Sequence, residues 1–453
     1  MQTFDLIVIG AGSGLNISSA AAEMGMKVAV VEKGPMGGTC LNRGCIPSKI
    51  IIHSADIAET IKKSNLFGIN SRISSIDFKK IASRASAIVD KDAREIEEGI
   101  KQDKNTTLFK VKAIFVGERA LRVGKETIKG DKVVIAAGTR PSIPNIEGLK
   151  DTGFITSDEA LRVKKQPKTM TILGGGYIAA ELAHFYGALG TQINIIQRGN
   201  YLIPNEDEDI SAKFTEIFKK KYNIFAGFNA VNVQKNKNKF ITTINNKKTT
   251  KKLVSGQLLV ATGRIPNTDL LDVQKANVDV DEKGFIKTNE YLETTAKNTW
   301  ALGDIVGKFL FKHSANLEAQ YVYNNSILNK KIKVDYNAMP HAIFSSPQIA
   351  GVGLREQDLK SKNISYAVGR YNYIDSGMGI ALHDYDGFVK IFADRKTRKI
   401  LGCHILGTDA STLIHEVIVA MKNNLSVDAI SSSVHVHPAL SEVVQRAVNN
   451  IEW

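Results

Sequence analysis

Gly38-Thr39-Cys40-Leu41-Asn42-Arg43-Gly44-Cys45-Ile46-Pro47-Ser48-Lys49 carries the densest chemistry in the chain. Its two cysteines stand five positions apart, a spacing open to metal ligation, a structural bridge or a redox pair. On a regular helix such positions have Cα atoms roughly 8–9 Å apart, whereas a disulfide spans roughly 4.4–6.8 Å. Closing Cys40 on Cys45 therefore demands a local distortion. Gly44 and Pro47, one permissive and one helix-disrupting, stand where they allow it. A strained bridge is easier to reduce than a relaxed one, which favours the redox reading. Zinc usually takes four ligands in paired short spacings, and Cys403 stands far away with no second short pair. On these residues alone the structural and metal readings stay open.

A second candidate lies near the end, at His435-Val436-His437-Pro438-Ala439-Leu440-Ser441-Glu442. A histidine held by a carboxylate is an acid–base unit. The two histidines could also ligate a metal, but no third ligand is apparent, so no metal site is expected. Taken alone, the segment reads most simply as a surface or interface histidine.

The elements that must position these groups begin at once. Residues 4–9 read as a buried parallel strand. Gly10-Ala11-Gly12-Ser13-Gly14 follows, then a helical run, then a strand over 27–31 that ends at Glu32. Strand, Gly-rich turn, helix, strand and acid form a dinucleotide fingerprint: amides approach the pyrophosphate at the helix N-terminus and the carboxylate reaches a ribose hydroxyl. Position 15, where a third glycine belongs, is Leu15, which puts the closest helix–strand approach in question. Helices are expected over 50–63 and 77–99, and an apolar strand runs through 133–137 into Gly138-Thr139-Arg140-Pro141.

A second fingerprint follows. The strand 170–173 meets Gly174-Gly175-Gly176-Tyr177-Ile178-Ala179, with Gly174, Gly176 and Ala179 in the GxGxxA positions. The next strand, 192–196, ends in Gln197-Arg198 rather than an acid. An acid favours the free 2′-hydroxyl of NAD and an arginine the 2′-phosphate of NADP, so the pair tilts toward NADP. The plain alternative for Arg198 is an unpaired surface arginine. Two dinucleotide sites beside a cysteine pair describe a flavin passing electrons between a nicotinamide and a disulfide. Farther on, Ala261-Thr262-Gly263-Arg264-Ile265-Pro266-Asn267 precedes Trp300-Ala301-Leu302-Gly303-Asp304, a strand end where an acid can meet a cofactor's hydroxyl chain. The last third, from about 336, alternates strands (387–392, 400–405) with a helix (411–422), an α+β module.

Composition bounds the rest. The chain has 453 residues, 43% hydrophobic and 23% charged, which suits a soluble protein of two to four domains. No apolar run approaches a membrane span. The start lacks the marks of a signal peptide, and three cysteines do not suit a disulfide-stapled secreted protein, so a cytoplasmic setting is expected. A net charge of +14 raises nucleic-acid binding. Much of the lysine, however, falls between Lys235 and Lys252, which reads as a solvated hairpin, and no nucleic-acid motif accompanies it. An inactive flavoprotein binding nucleic acid is the remote reading.

Together these stretches resemble the class I pyridine nucleotide–disulfide oxidoreductases, the family of dihydrolipoyl dehydrogenase, glutathione reductase and mycothione reductase. The resemblance runs essentially end to end. It implies an α/β fold with two Rossmann-like domains, for FAD (1–145) and NAD(P) (146–265). A central domain (266–335) and a C-terminal α+β dimerisation domain (336–453) complete the expected homodimer subunit. By the same resemblance Gly10, Gly12, Gly14 and Glu32 hold FAD with Asp304 at its ribityl chain, and Gly138 and Gly263 belong to the cofactor-binding set. Cys45 is the thiol beside the flavin and Cys40 the interchange thiol. Lys49 and Glu181 form the ion pair near the flavin's reactive nitrogen, and Tyr177 gates the nicotinamide pocket. His437, oriented by Glu442, is the acid–base residue and reaches Cys40 of the other subunit.

Within the family, Cys-Leu-Asn-Arg-Gly-Cys-Ile-Pro-Ser-Lys and His-Pro-Ala-Leu-Ser-Glu look like dihydrolipoyl dehydrogenase, the favoured activity, with a lipoyl-bearing protein as substrate. Gly-Ser-Gly-Leu-Asn, Gln-Arg-Gly and Phe311-Lys312-His313-Ser314-Ala315-Asn316 are similar to mycothione reductase. The alternative is therefore an NADPH-dependent reductase of a small thiol disulfide. Pro204 stands where glutathione reductase typically has a second arginine, so the NADP signal is half present. The end lacks the cysteine pair of mercuric reductase.

Overall fold

The computed structural model describes residues 1–453. Strand β1 (Gln2–Ile9) runs in register between two parallel neighbours, Leu6 facing Val28 on one side and Lys132 on the other. Both faces are covered, which is why its sequence is a nearly continuous apolar run rather than an alternation. Helix α1 (Leu15–Glu23) carries the chain to β2 (Val28–Val31). Helices α2 (Gly38–Arg43), α3 (Cys45–Lys63) and α4 (Phe78–Gln102) then lead to β3 (Thr106–Phe109), parallel to β2. An antiparallel pair, β4 (Ala113–Gly117) and β5 (Ala120–Val123), folds onto the first half of β6 (Glu126–Ile135).

After the short β7 (Thr139–Pro141) the parallel pattern repeats. Strand β8 (Thr169–Leu173), helix α5 (Tyr177–Ala188), β9 (Gln192–Gln197), helix α6 (Glu208–Lys221) and β10 (Asn223–Ala226) make a second unit. The hairpin expected at 235–252 is present, as part of a three-stranded antiparallel sheet of two successive hairpins, β11 (Asn229–Asn236), β12 (Lys239–Asn245) and β13 (Thr250–Ser255). Lysine density hid a period-2 signal: Phe240, Thr242 and Ile244 alternate inward and are buried. Strand β14 (Gln257–Val260) completes the second parallel sheet, in the order β10-β9-β8-β14. Strand β15 (Arg264–Pro266) pairs antiparallel with β7.

Residues 266–335 build no sheet of their own. Strand β16 (Thr299–Ala301) returns to the first sheet, parallel to the second half of β6 with Thr299 facing Val133 and Ala301 facing Ile135. Helix α7 (Lys312–Ser326) then packs with α1 in one core containing Ile17, Ala21, Ala319 and Val322.

The C-terminal part is a five-stranded antiparallel sheet made of β17 (Pro340–Ile343), β18 (Gln348–Gly353), β19 (Tyr366–Asn372), β20 (Phe388–Asp394) and β21 (Ile400–Gly407). Its order is β17-β18-β21-β20-β19. Helices α8 (Ala410–Lys422) and α9 (Glu442–Asn449) share its core through Val417, Ala420, Val443 and Ala447. A separate core joins the parts that matter for the site. Ile51 and Ala55 of α3, Ala179, Ala180 and Ala183 of α5, and Ile343, Ile349 and Leu406 of the C-terminal sheet lie in one buried cluster. The cysteine-bearing helix is thereby fixed against the second nucleotide unit.

Candidate active site

The two cysteines sit across a helix break. Helix α2 ends at Arg43, Gly44 takes φ −144° and ψ −122°, and α3 starts at Cys45. A Cβ on Gly44 would lie 2.8 Å from the Thr39 carbonyl oxygen and 3.2 Å from Cys40 Cα, so only glycine lets Cys45 turn back toward Cys40. Pro47 plays a different part from the expected one. It falls in the first turn of α3, where no intrahelical N–H is required, and it starts the helix rather than disrupting it. The helix consequently begins at Cys45 and not near Ile50. Asn42, buried, donates to the Met36 and Gly38 carbonyls at 2.7 and 2.9 Å and pins the approach to α2. Gly44→Ala is expected to lower holoenzyme stability by about 1–3 kcal/mol, the usual cost of overpacking. Calorimetry checks this, and an unchanged melting temperature would contradict the close contact.

Both thiols are free, and each shifts the other's proton affinity. The Cys40 thiol hydrogen bond, aided by the Lys49 ammonium, brings the Cys45 pKa down to about 7 against the opposing effect of burial. Cys45 also occupies the first turn of a 19-residue helix, where the dipole favours an anion. Cys40 is pushed the other way, first by the same hydrogen bond and then by burial. The pair is thus biased so that Cys45 ionises first, about half of it near neutrality, while Cys40 keeps its proton.

Lys49 lies one turn beyond Cys45 on α3. Its Nζ meets both Glu181 carboxylate oxygens at 2.8 Å and lies 4.4 Å from the Phe344 ring centre. Glu181, buried on α5, also accepts the Phe344 amide at 3.0 Å. Three parts of the chain therefore meet at this ion pair.

The two Gly-rich turns are built alike. Gly10 has φ +102° and Gly174 φ +100°, and a Cβ would lie 2.4 Å from the Ala136 carbonyl oxygen at the first and 2.3 Å from that of Ala261 at the second. In the first turn Glu32 accepts the amides of Ala11 at 2.9 Å and Gly34 at 2.7 Å. In the second, Gln197 takes that place and accepts the Gly175 amide at 3.2 Å. The amides of Gly12, Ser13 and Gly14, and those of Gly176, Tyr177 and Ile178, donate to no group of the chain. Each set of free donors fits a dinucleotide pyrophosphate at a helix N-terminus. The question raised by Leu15 resolves at its neighbour: a Cβ on Gly14 would lie 2.8 Å from Val8 Cγ1 and 2.9 Å from the Gly10 carbonyl oxygen, so Gly14 carries the close approach. In the second turn Ala179 is fully buried, Tyr177 is 40% exposed, and Arg198 is exposed with no carboxylate partner.

Asp304, Gly138 and Gly263 are expected at the first site; the residues around them, Thr139, Arg264, Glu318, Lys312 and Asn316, give no signal of their own in the sequence. Asp304 accepts the Thr139 hydroxyl at 2.9 Å, and Arg264 donates to Thr139 Oγ1 at 2.7 Å and to its carbonyl at 2.9 Å. Gly138 and Gly263 lie beside this network, each immediately before one of the paired strands β7 and β15. Burial raises the Asp304 carboxyl. Glu318 of α7 accepts the Gly303 amide at 2.5 Å and the Tyr336 hydroxyl at 2.7 Å, and burial raises it to about 7. Lys312 donates to Ser13 Oγ at 2.9 Å, and Ser13 Oγ donates to Asn316 Oδ1 at 2.9 Å, tying α7 to the first turn.

His437 stands apart from the cysteines' own neighbourhood. Its Nδ1 meets Glu442 at 3.0 and 3.2 Å, the only hydrogen-bond partner it has, and its side chain is 76% exposed. The Glu442 carboxyl is held below its ordinary value, chiefly by that histidine, and also accepts the Ala439 amide. The alternative of a metal on His435 and His437 loses its basis, because His435 Nε2 is engaged by Glu416 at 3.0 Å.

Comparison with known proteins agrees with this geometry. Residues 4–342 match the family described as pyridine nucleotide-disulphide oxidoreductase, and residues 339–448 match its dimerisation domain. A mycothione reductase of Mycobacterium tuberculosis is 35% identical over 460 residues, covering 99% of both chains. A dihydrolipoyl dehydrogenase of Bacillus subtilis is 31% identical over 451 residues, covering 98% of this chain and 95% of the relative. The solved HOCl-induced flavoprotein disulfide reductase RclA of Escherichia coli superposes with a TM-score of 0.87 at 25% identity, over 99% of each chain. No helix is long and apolar enough to cross a membrane. With two dinucleotide turns, a split-helix cysteine pair and a dimerisation sheet in one chain, the protein belongs to the pyridine nucleotide–disulphide oxidoreductases, FAD-containing enzymes that use NAD(P)H.

Proposed function

We propose that this enzyme acts as a homodimer and reduces a small-molecule disulfide with NADPH, through Cys40 and Cys45. The observation that carries the direction is the second turn, where neutral Gln197 replaces the acid and Arg198 stands exposed without a partner. A carboxylate at that place would repel a 2′-phosphate, whereas an amide and a guanidinium accept one. The first-cited relative, a mycothione reductase, is of this reaction class.

Bound FAD supplies the two-electron relay between nicotinamide and thiols. Gly10, Gly12, Gly14 and Glu32 would hold its dinucleotide part, Asp304 with Thr139 and Arg264 would serve its hydroxyl chain, and Lys49 with Glu181 would lie near it beside Cys45. The chain's own steps are exchange steps. Cys40, deprotonated by His437 of the partner subunit, attacks one substrate sulfur and breaks the substrate S–S bond. The departing thiolate takes the proton from that histidine. The Cys45 thiolate then attacks the Cys40 sulfur, breaks its bond to the substrate sulfur and closes the Cys40–Cys45 disulfide. The second product leaves as a thiolate that takes its proton from water, and the two electrons of NADPH would reopen the disulfide.

Dihydrolipoyl dehydrogenase is the second reading, favoured by the residues around the cysteines and around His437 and by the Bacillus subtilis relative. An anaerobic assay separates the two. NADPH oxidation by small disulfides, with slow NAD⁺ reduction by dihydrolipoamide, supports the first, and the reverse pattern supports the second. Arg198→Ala is expected to raise the KM for NADPH about tenfold and to leave that for NADH unchanged, as expected for one lost charged hydrogen bond. Equal effects on both nucleotides would contradict the assignment.

A further inference from the structure

Away from the redox site, the molecule gathers one more set of ligand-type side chains. Glu206, His341 and His404 each offer one ligating atom, and these atoms lie within 4.8 Å of one another. The residues come from separate parts of the chain: Glu206 from the loop before α6, His341 from β17 and His404 from β21. The sheet register places His341, Gly351 and His404 side by side across β17, β18 and β21. The central residue has no side chain. A Cβ there would lie 2.6 Å from His341 Cε1, 2.8 Å from His341 Nε2 and 2.8 Å from His404 Nδ1, so the niche above Gly351 is where both imidazoles converge.

The tautomer of His404 follows from its partner. Its Nε2 lies 3.1 Å from the Leu354 carbonyl, which only accepts, so Nε2 carries the proton and Nδ1 presents a lone pair. That Nδ1 is buried, on a fully buried residue, and has no hydrogen-bond partner. A ring fixed by an N–H to a backbone carbonyl, with its other nitrogen free, is the usual support of a metal-ligating histidine. His341 Nε2 donates to Glu206 Oε2 at 2.8 Å, and moving its proton to Nδ1 frees a second lone pair beside the carboxylate. Lys390, the next residue across the sheet, is neutralised by Asp207, Asp209 and Glu356 at 2.6–3.0 Å, and Arg355 is engaged by Asp358.

We propose that Glu206, His341 and His404 form a binding site for one divalent cation of the zinc type, linking the second nucleotide unit to the C-terminal sheet. Two imidazoles and a carboxylate suit zinc, and an ion centred among the three atoms lies at most about 2.8 Å from each. Small side-chain movements then reach the 2.0–2.2 Å of zinc–ligand bonds, with water as the fourth ligand. His341, 23% exposed, is the side from which the ion enters. Glu206 lies close along the chain to Ile203, whose amide donates to the Gly175 carbonyl of the second nucleotide turn.

The test uses the oxidised FAD holoenzyme, whose active-site thiols are tied up as a disulfide, with Zn²⁺ in equilibrium dialysis and Co²⁺ as an absorption probe. The expected result is one ion per subunit, tetrahedral Co²⁺ absorption, and affinity lowered at least tenfold by His341→Gln and by Glu206→Gln. Both substituted side chains keep the size of the original, and His341 is partly exposed, so folding is retained. Absence of stoichiometric binding, or binding that survives both substitutions, would overturn the site and leave a hydrogen-bonded pair with water on His404.

Discussion

Replacing Cys45 by serine is expected to abolish disulfide reduction, by a factor on the order of 10⁴–10⁶, as when a covalent nucleophile is removed elsewhere. Electron transfer from NADPH to an artificial acceptor should survive, because the dinucleotide turns and the Lys49–Glu181 pair do not depend on the thiol. Cys40→Ser should lose turnover just as fully but for a different reason, and pH tells the two apart. The Cys45 pKa is about 7, brought there by the Cys40 hydrogen bond and by Lys49. In the reduced wild-type holoenzyme its thiolate is therefore half formed near neutrality and grows as pH rises. In Cys40→Ser the thiol hydrogen bond is replaced, while Lys49→Met removes the cation. The hydroxyl at position 40 is the stronger donor and should leave the midpoint near 7 or lower, whereas loss of the ammonium should move it upward, read as the long-wavelength absorbance of the reduced protein against pH. A midpoint that stays near 7 in Lys49→Met would show that the ammonium is not what holds the thiolate. Retained disulfide turnover in Cys45→Ser would remove the pair from the reaction altogether.

How much of this site can be read in the sequence follows from the range of each contact. The Gly-rich turns, the split cysteine motif and the His437–Glu442 pair each lie within a short stretch, and spacing alone carries their geometry. What holds them in place does not. Thr139 and Arg264 are 125 positions apart, Ser13 and Lys312 are 299 apart, and the Phe344 amide reaches Glu181 across 163. The niche of Glu206, His341 and His404 exists only because β17, β18 and β21 lie in one register, a pairing that no local pattern announces. Position-by-position reasoning also misassigned the consequence of Leu15. The motif places the close approach one residue later than Gly14, where the packed backbone has it. Lysine-rich strands mislead for a related reason. Their charged residues are numerous enough to mask three inward positions in seven residues of β12, and those three give the hairpin its buried face and its third strand.

His437 makes the strongest demand on assembly. In one subunit it is oriented by Glu442 yet 76% exposed, and Cys40, whose proton must leave before it can attack, has no hydrogen bond to a base. A histidine oriented in this way with a free Nε2 fits the proposed role toward a thiol of a second copy, and the five-stranded sheet with its helices belongs to the family's dimerisation domain. A twofold arrangement repeats the same exchange at two sites. His437→Gln is then expected to lower turnover by about 10²–10⁴-fold, the range of a lost general acid–base group. Glu442→Gln should cost less, because it leaves the imidazole in place. The decisive result comes from mixing two dead proteins. When Cys40→Ser and His437→Gln subunits are dissociated and reassociated at equal amounts, half of the dimers are mixed, and each mixed dimer joins one intact Cys40 to one intact His437. Activity should return to about a quarter of the wild-type value. If both groups served a site within a single subunit, no mixture would recover anything, so an inactive mixture of properly reassociated dimers would sink the shared-site mechanism while leaving the cysteine chemistry standing.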